Sequence, residues 1–186
     1  MNDVETIKSR RSDLDGLQTP LAEVLLQHVR QYNAQRILQI GLGSGLNSLY
    51  LARALHTRDG TLEVIDDPPC EKASDMITGY QQEFPGEIVR TRVNFPYDNA
   101  AKGFIRRDER FDMVFIDFRN NQTWYKIALS LTVANAVLRH KGWVIFTGYG
   151  QDVPVEHVWN TLILSDPRYW NHVHVADLAM AQRNDT

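Results

Sequence analysis

The chain has one cysteine, Cys70, in 186 residues. That excludes a disulfide framework and a cysteine-based zinc site. It has no apolar run near the roughly 20 residues that a membrane-spanning helix needs. Its opening, with Asn2, Asp3 and Glu5, lacks the apolar stretch of a secretory signal. Positive charge is not in excess: 20 Lys and Arg against 23 Asp and Glu leave a formal net charge of −3. The electrostatic footprint of a nucleic-acid binder is therefore missing. The short basic groups Lys8–Arg11 and Arg106–Arg110 read as solvated faces. Repeats and low-complexity segments are absent as well.

What is present is ordinary globular composition, 43% hydrophobic and 23% charged. Residues 1–18 are polar without clear periodicity and read as an arm or short helix. Residues 19–186 read as a single domain with one core. A cytoplasmic enzyme or binding domain fits, with a homodimer as its candidate assembly.

Strand and helix patterns alternate along the chain. Thr19-Pro20 opens a helix, Thr as cap and Pro at the first position, with Leu21, Val24, Leu25, His28, Val29 and Tyr32 on its apolar face. Strands are expected at Arg36–Ile40, Thr61–Ile65, Ile88–Val93, Phe111–Asp117 and Trp143–Thr147. Helices are expected at Asn47–Leu55, Glu71–Glu83, Asn99–Arg106 (weakly), from Thr123 to an end at Lys141-Gly142, and from about Pro154 to Leu164. Asn171–Val175 and Leu178–Arg183 are joined too tightly for a crossover and should pair antiparallel. The alternation predicts a doubly wound α/β sheet. Ligands of such sheets bind beyond the carboxyl ends of the strands, a rule that puts the glycine loop, Asp66, Asn94, Asp117 and Tyr149 along one rim.

The first strand runs into Gly41-Leu42-Gly43-Ser44-Gly45. Glycine permits the tight turn and removes the Cβ that would block a ligand, and the following helix offers unpaired N–H groups. A dinucleotide fingerprint needs its third glycine at position 46, which is Leu46. A P-loop is excluded because no Gly-Lys-Ser/Thr follows. Asp66 ends the second strand 25 positions after Gly41, close to the spacing that lets a carboxylate accept the hydroxyls of a ribose. Asp67 beside it is the alternative, and either could instead cap the next segment.

Together these segments resemble the class I S-adenosylmethionine (SAM) methyltransferases, and within them the small catechol and caffeoyl-CoA O-methyltransferase group. Ile37–Gly45 resembles motif I and Leu62–Asp66 resembles motif II. Phe111–Asp117 is similar to the family's FDLIFID strand, Leu138–Phe146 to its LLKPGGVIVF segment, and Asp177–Arg183 to its final hairpin strand. The resemblance implies a Rossmann-like sheet of seven strands, mostly parallel with the last antiparallel, SAM as cofactor and a small-molecule acceptor. It implies that Gly41, Gly43 and Gly45 pass under the methionine and ribose part, that Asp66 holds the ribose, that Asn94 faces the adenine, and that Asp117 sits beside the methyl-transfer centre.

The departures bear on the reaction. Gln39, taken as a cofactor-binding position, stands where motif I carries an acid that orders the loop or meets the cofactor's ammonium. A neutral amide can still hydrogen-bond but without the charge-assisted strength, so weaker cofactor binding is expected. Metal-dependent members hold a divalent ion with the strand-four aspartate and an Asp-Asn pair after strand five. Here Asp117 is followed at those places by Thr147 and Gly148, a poor oxygen set for a hard cation, so no metal is expected. Asn120 replaces the family's lysine base, and Arg119 keeps its proton. Asp117, Tyr149 and His157 are left as helpers, Tyr149 also as a pocket wall and Asp117 also as a loop cap or as a cofactor-binding group near the amino end of SAM. Phe95, Tyr97, Phe118, Trp124 and Tyr149 form either an acceptor pocket or a lid on the core. Trp143, Trp159 and Trp170 read as packing residues, and His172 and His174 as ordinary strand residues. The expected activity is metal-independent O-methylation; the alternative is a diverged methyltransferase-fold protein that binds SAM or a partner without methyl transfer.

Overall fold

The computed structural model describes residues 19–56, 58–66, 88–93, 97–117 and 123–184, with Glu5, Ile7, Ser9, Leu17, Asp75, Thr78, Gly79 and Gln82; for 88–93, 97 and 98 it describes the backbone alone. The chain divides into two compact units, Met1–Asn94 and Phe95–Thr186.

In the first unit, α1 (Thr19–Gln31) leads to β1 (Arg36–Ile40), α2 (Leu46–His56), β2 (Thr61–Asp66) and β3 (Ile88–Val93). The strands lie in the order β3-β2-β1. They pair in parallel, Ile40 opposite Ile65 and Asp66 opposite Val93. β1 and β2 are buried almost throughout, as strands covered on both faces must be. Helix α2 is buried at residues 46–52, 54 and 55, and Arg53 between them is half-buried. Burial of each large apolar side chain in these elements contributes about 1.5–3 kcal/mol. Helix α1 turns a slightly different face inward than its periodicity suggests. Ala22, Leu25, Leu26, His28 and Val29 are buried, while Tyr32 is exposed and lies against the His28 ring.

Burial pushes the His28 imidazole down to about 4. The unfolded chain then binds the extra proton more readily than the folded one. This contribution to stability is intact above about pH 6.5, the ordinary histidine value, and is lost as pH falls toward the folded value. His28→Leu is expected to lose less stability between pH 7 and pH 5 than the wild type, read by urea unfolding at the two pH values. An equal loss would show that His28 is not the acid-sensitive group.

The second unit holds α3 (Tyr97–Arg106), β4 (Phe111–Ile116), α4 (Trp124–Val137), β5 (Leu138–Thr147), α5 (Val153–Val158) with a π turn over Trp159–Ile163, β6 (Tyr169–Val175) and β7 (Leu178–Arg183). Its strands lie in the order β4-β5-β7-β6. β4 and β5 are parallel; β7 runs antiparallel to both β5 and β6. Thr123 caps α4, its side chain accepting from the Lys126 N–H, so the expected start is met. The expected end is not. The helix stops at Val137 and the chain enters β5 at once, with Leu138 already extended. Lys141-Gly142 instead forms a bulge inside the strand: Phe111 pairs with Leu138 and Met113 already with Trp143. Lys141 has φ 62°, and a Cβ on Gly142 would lie 2.9 Å from the Arg139 carbonyl oxygen.

The reason is tertiary. The last carbonyls of a helix need donors, and here two arginines supply them. Arg110 donates to the Ala136 carbonyl, and Arg183 to those of Asn135 and Leu138. With such caps the helix needs no terminal glycine. Within the basic group at 106–110, Arg107 pairs with Glu109, and the capping Arg110 also pairs with Asp108. Among the described residues no helix is long and apolar enough to cross a membrane.

Candidate functional site

The glycine turn lies in the first unit, between β1 and α2. Gly41, Gly43 and Gly45 have φ of 89°, 55° and 84°. All three lie in territory that side chains rarely enter, which is why the sequence repeats glycine at every second position. Hydrogen bonds within the turn and to β2 hold this path. The Gly41 N–H donates to the Ile65 carbonyl at 2.9 Å, and the Gly45 N–H to the Leu42 carbonyl at 2.8 Å. The Leu42 N–H donates to Oδ2 of Asp66 at 3.1 Å. Asp66 thus meets the glycine turn through a backbone amide. A carboxylate has about four acceptor positions, so this bond leaves capacity for a ligand's hydroxyls.

Gln39 is fully buried. Its Nε2 donates to the Gly41 carbonyl at 2.8 Å, and its Oε1 accepts from the Ser48 hydroxyl at 2.7 Å. It therefore orders the loop from beneath. Sequence reasoning missed Ser48, whose place in the first turn of α2 opposite a buried amide was the available signal. It also missed Asn47, whose side chain accepts from the buried Leu17 N–H at 3.0 Å. Asp67 and Asn94, as well as Phe95, Phe118, Arg119 and Asn120, lie outside the described residues.

The second unit carries the other candidates. Asp117 follows β4 and is buried, and its Oδ1 accepts from the Thr147 hydroxyl at 3.0 Å. Thr147, missed as a partner, is the last residue of β5. Thr147→Val keeps the shape and removes the donor. It is expected to cost about 1–3 kcal/mol of unfolding free energy, measured by urea titration; no loss would remove this bond from the second unit's stability.

Tyr149 is half-buried. Its ring lies 4.3 Å from that of His174 and 5.9 Å from that of Trp159. Trp159 also meets Phe146, His172 and His174. Desolvation, then the neighbouring His172, lowers the His174 value. His157 is exposed on α5. Of the other rings, Trp124 is 59% exposed and so does not cap the core, Trp143 and Trp159 are buried, and Trp170 is exposed. Among the described residues no group of three His, Cys, Asp or Glu is arranged to hold a metal ion.

A glycine turn after β1, a carboxylate ending β2 and a reversed β7 define the Rossmann-like fold of the SAM-dependent methyltransferases. Solved structures with this fold match the chain almost from end to end. An O-methyltransferase from Bacillus cereus in complex with S-adenosylhomocysteine (SAH) is 17% identical, covering 98% of this chain and 90% of its own, with a TM-score of 0.75. The O-methyltransferase TomG from Streptomyces achromogenes, involved in tomaymycin synthesis and in complex with SAM, is 19% identical over 100% and 91%, with a TM-score of 0.72. A methyltransferase from Geobacter sulfurreducens is 19% identical over 98% and 86%, with a TM-score of 0.70. No protein-family description and no curated protein sequence matches the chain.

Proposed function

We propose that the chain is a SAM-dependent methyltransferase that transfers to an oxygen of a small molecule without a metal ion. One observation carries this reading: three positive-φ glycines tied by the Leu42 amide to the carboxylate that ends β2, on a fold shared with O-methyltransferases that hold SAM or SAH. The residues suit the group. Glycines without Cβ leave backbone exposed to a flat ligand, and Asp66 offers acceptors to two ribose hydroxyls. When bound, SAM supplies an electrophilic sulfonium methyl for in-line displacement. The chain's part is then to hold and orient, which can supply much of the acceleration.

In this reading Gly41, Gly43, Gly45 and Asp66 seat the cofactor, with Gln39 ordering the seat. Asp67 and Asn94 are further contacts proposed on sequence alone. Asp117 and Tyr149 are the candidates for handling the acceptor's proton. The donor set supports metal independence, since Asp117 is the one carboxylate of the three positions, Thr147 is a neutral hydroxyl and Gly148 has no side chain. The cytoplasm is the proposed setting and a homodimer the assembly to look for by light scattering.

Calorimetric titration with SAM and SAH tests the reading; absence of binding by either at sub-millimolar concentration would end it. Methyl transfer to a panel of phenols, alcohols and carboxylic acids tests turnover. A second reading, a diverged protein of this fold that binds SAM or a partner without transfer, has its support in Gln39, Asn120, Thr147 and Gly148, uncharged residues where the family it resembles carries charged or ligating groups. Tight SAH binding with no turnover on the panel would favour it.

A further inference from the structure

We infer that Gln39 is a positioning residue whose neutral amide sets the glycine turn, so that the acid usual at this place in related proteins would weaken the seat here. The inference rests on the proposed cofactor reading for its ligand. Its structural half stands on the turn alone.

The Gly41 carbonyl has no proton to give, so the amide nitrogen of Gln39 must face it, and the amide oxygen must face the Ser48 hydroxyl. One side chain thereby ties the start of the turn to the first turn of α2. No single-charge group can do both jobs in this place. A glutamate carboxylate could still accept from Ser48. Its second oxygen would oppose the Gly41 oxygen, lone pair against lone pair, in a position with no exposure to water.

The charged groups around the position do not relieve it. Gln39 pairs with Val64 on β2. Strand alternation puts Asp66 on that same face and Glu63 on the opposite one. Arg53 and His56 of α2 stand in its last turn, and Ser48 in its first. The nearest charge along this face of β2 is thus another carboxylate. The α2 N-terminus favours negative charge, but weakly against the loss of a buried bond.

A glutamate here would take up a proton, and the protonated acid could donate to Gly41 and accept from Ser48 as the amide does. Its folded value would lie above the unfolded one of about 4.3. Stability would therefore be kept at low pH and lost as pH rises through the folded value.

The test compares Gln39→Glu with wild type at pH 7.5 and pH 5.5, reading SAH affinity by calorimetry and melting temperature without ligand. Affinity is expected to be at least about tenfold weaker at pH 7.5, with both the affinity gap and the melting gap narrowing at pH 5.5. Equal or tighter binding at pH 7.5, or a melting gap that ignores pH, overturns the inference. Ser48→Ala removes only the helix-side bond. It is expected to give a smaller, pH-independent loss of affinity and melting temperature, and it decides the matter if Gln39→Glu fails to fold; no loss overturns the inference. If the wild type does not bind SAH, the cofactor reading falls, and the ligand-free melting pattern still judges Gln39.

Discussion

Gly41→Val is expected to leave no measurable binding of SAM or SAH at sub-millimolar concentration. Gly41 sits at φ 89°, beyond even the small left-handed region near +57° that some side chains tolerate. Valine, branched at Cβ, is among the residues least able to follow. The residue cannot rotate away cheaply, because its N–H is held by the Ile65 carbonyl and its own carbonyl by the Gln39 amide. Strain of about 1–3 kcal/mol competes with loss of both bonds, at about 1 kcal/mol each, and the turn deforms either way. Gly43→Asn is the control. At φ 55° it lies inside the left-handed region, where asparagine is well tolerated, so its loss should be much smaller. Calorimetry on the two variants checks the order, and equal binding by Gly41→Val and wild type would mean that the turn is not the seat.

Asp66→Ala is expected to weaken cofactor binding by more than tenfold. The carboxylate has two duties in the proposed site, accepting ribose hydroxyls and accepting the Leu42 N–H at 3.1 Å. Hydrogen bonds to a charged group contribute roughly 1.5–3 kcal/mol, which is about ten- to more than a hundredfold in affinity. Asp66→Asn separates the duties. It keeps an acceptor for Leu42 but gives up the charge, and should fall between alanine and wild type. Loss in Asp66→Ala that Asp66→Asn fully restores would assign the residue to loop support alone; unchanged affinity in both would remove it from the site.

Both predictions concern residues that could be picked from the sequence, and the reason is local. A glycine forced by positive φ and a carboxylate ending a strand leave a mark at their own positions. Strand β4 was legible too, because a strand buried on both faces reads as a near-continuous apolar run, as residues 113–116 do. What was illegible depends on partners distant in the chain. The end of α4 is set by Arg110 and Arg183 rather than by Gly142. The inward face of α1 is shifted so that Tyr32 stays in solvent. At the site, Gln39 could be seen as an odd residue in its motif, but its purpose needed Ser48, nine positions on, to be seen opposite it. Thr147, read only as a lost metal ligand, turned out to be the donor to Asp117 across thirty positions.

The arginine caps on α4 also tie the helix to a distant part of the chain. The helix is made in mid-chain, yet its Asn135 and Leu138 carbonyls are satisfied by a residue 48 and 45 positions later. Strand β7, which carries Arg183, is also the partner that β5 and β6 share. Arg183 and β7 therefore join the C-terminal end of α4 to the β5-β7-β6 ladder, so that a change which frees β7 also uncaps the helix.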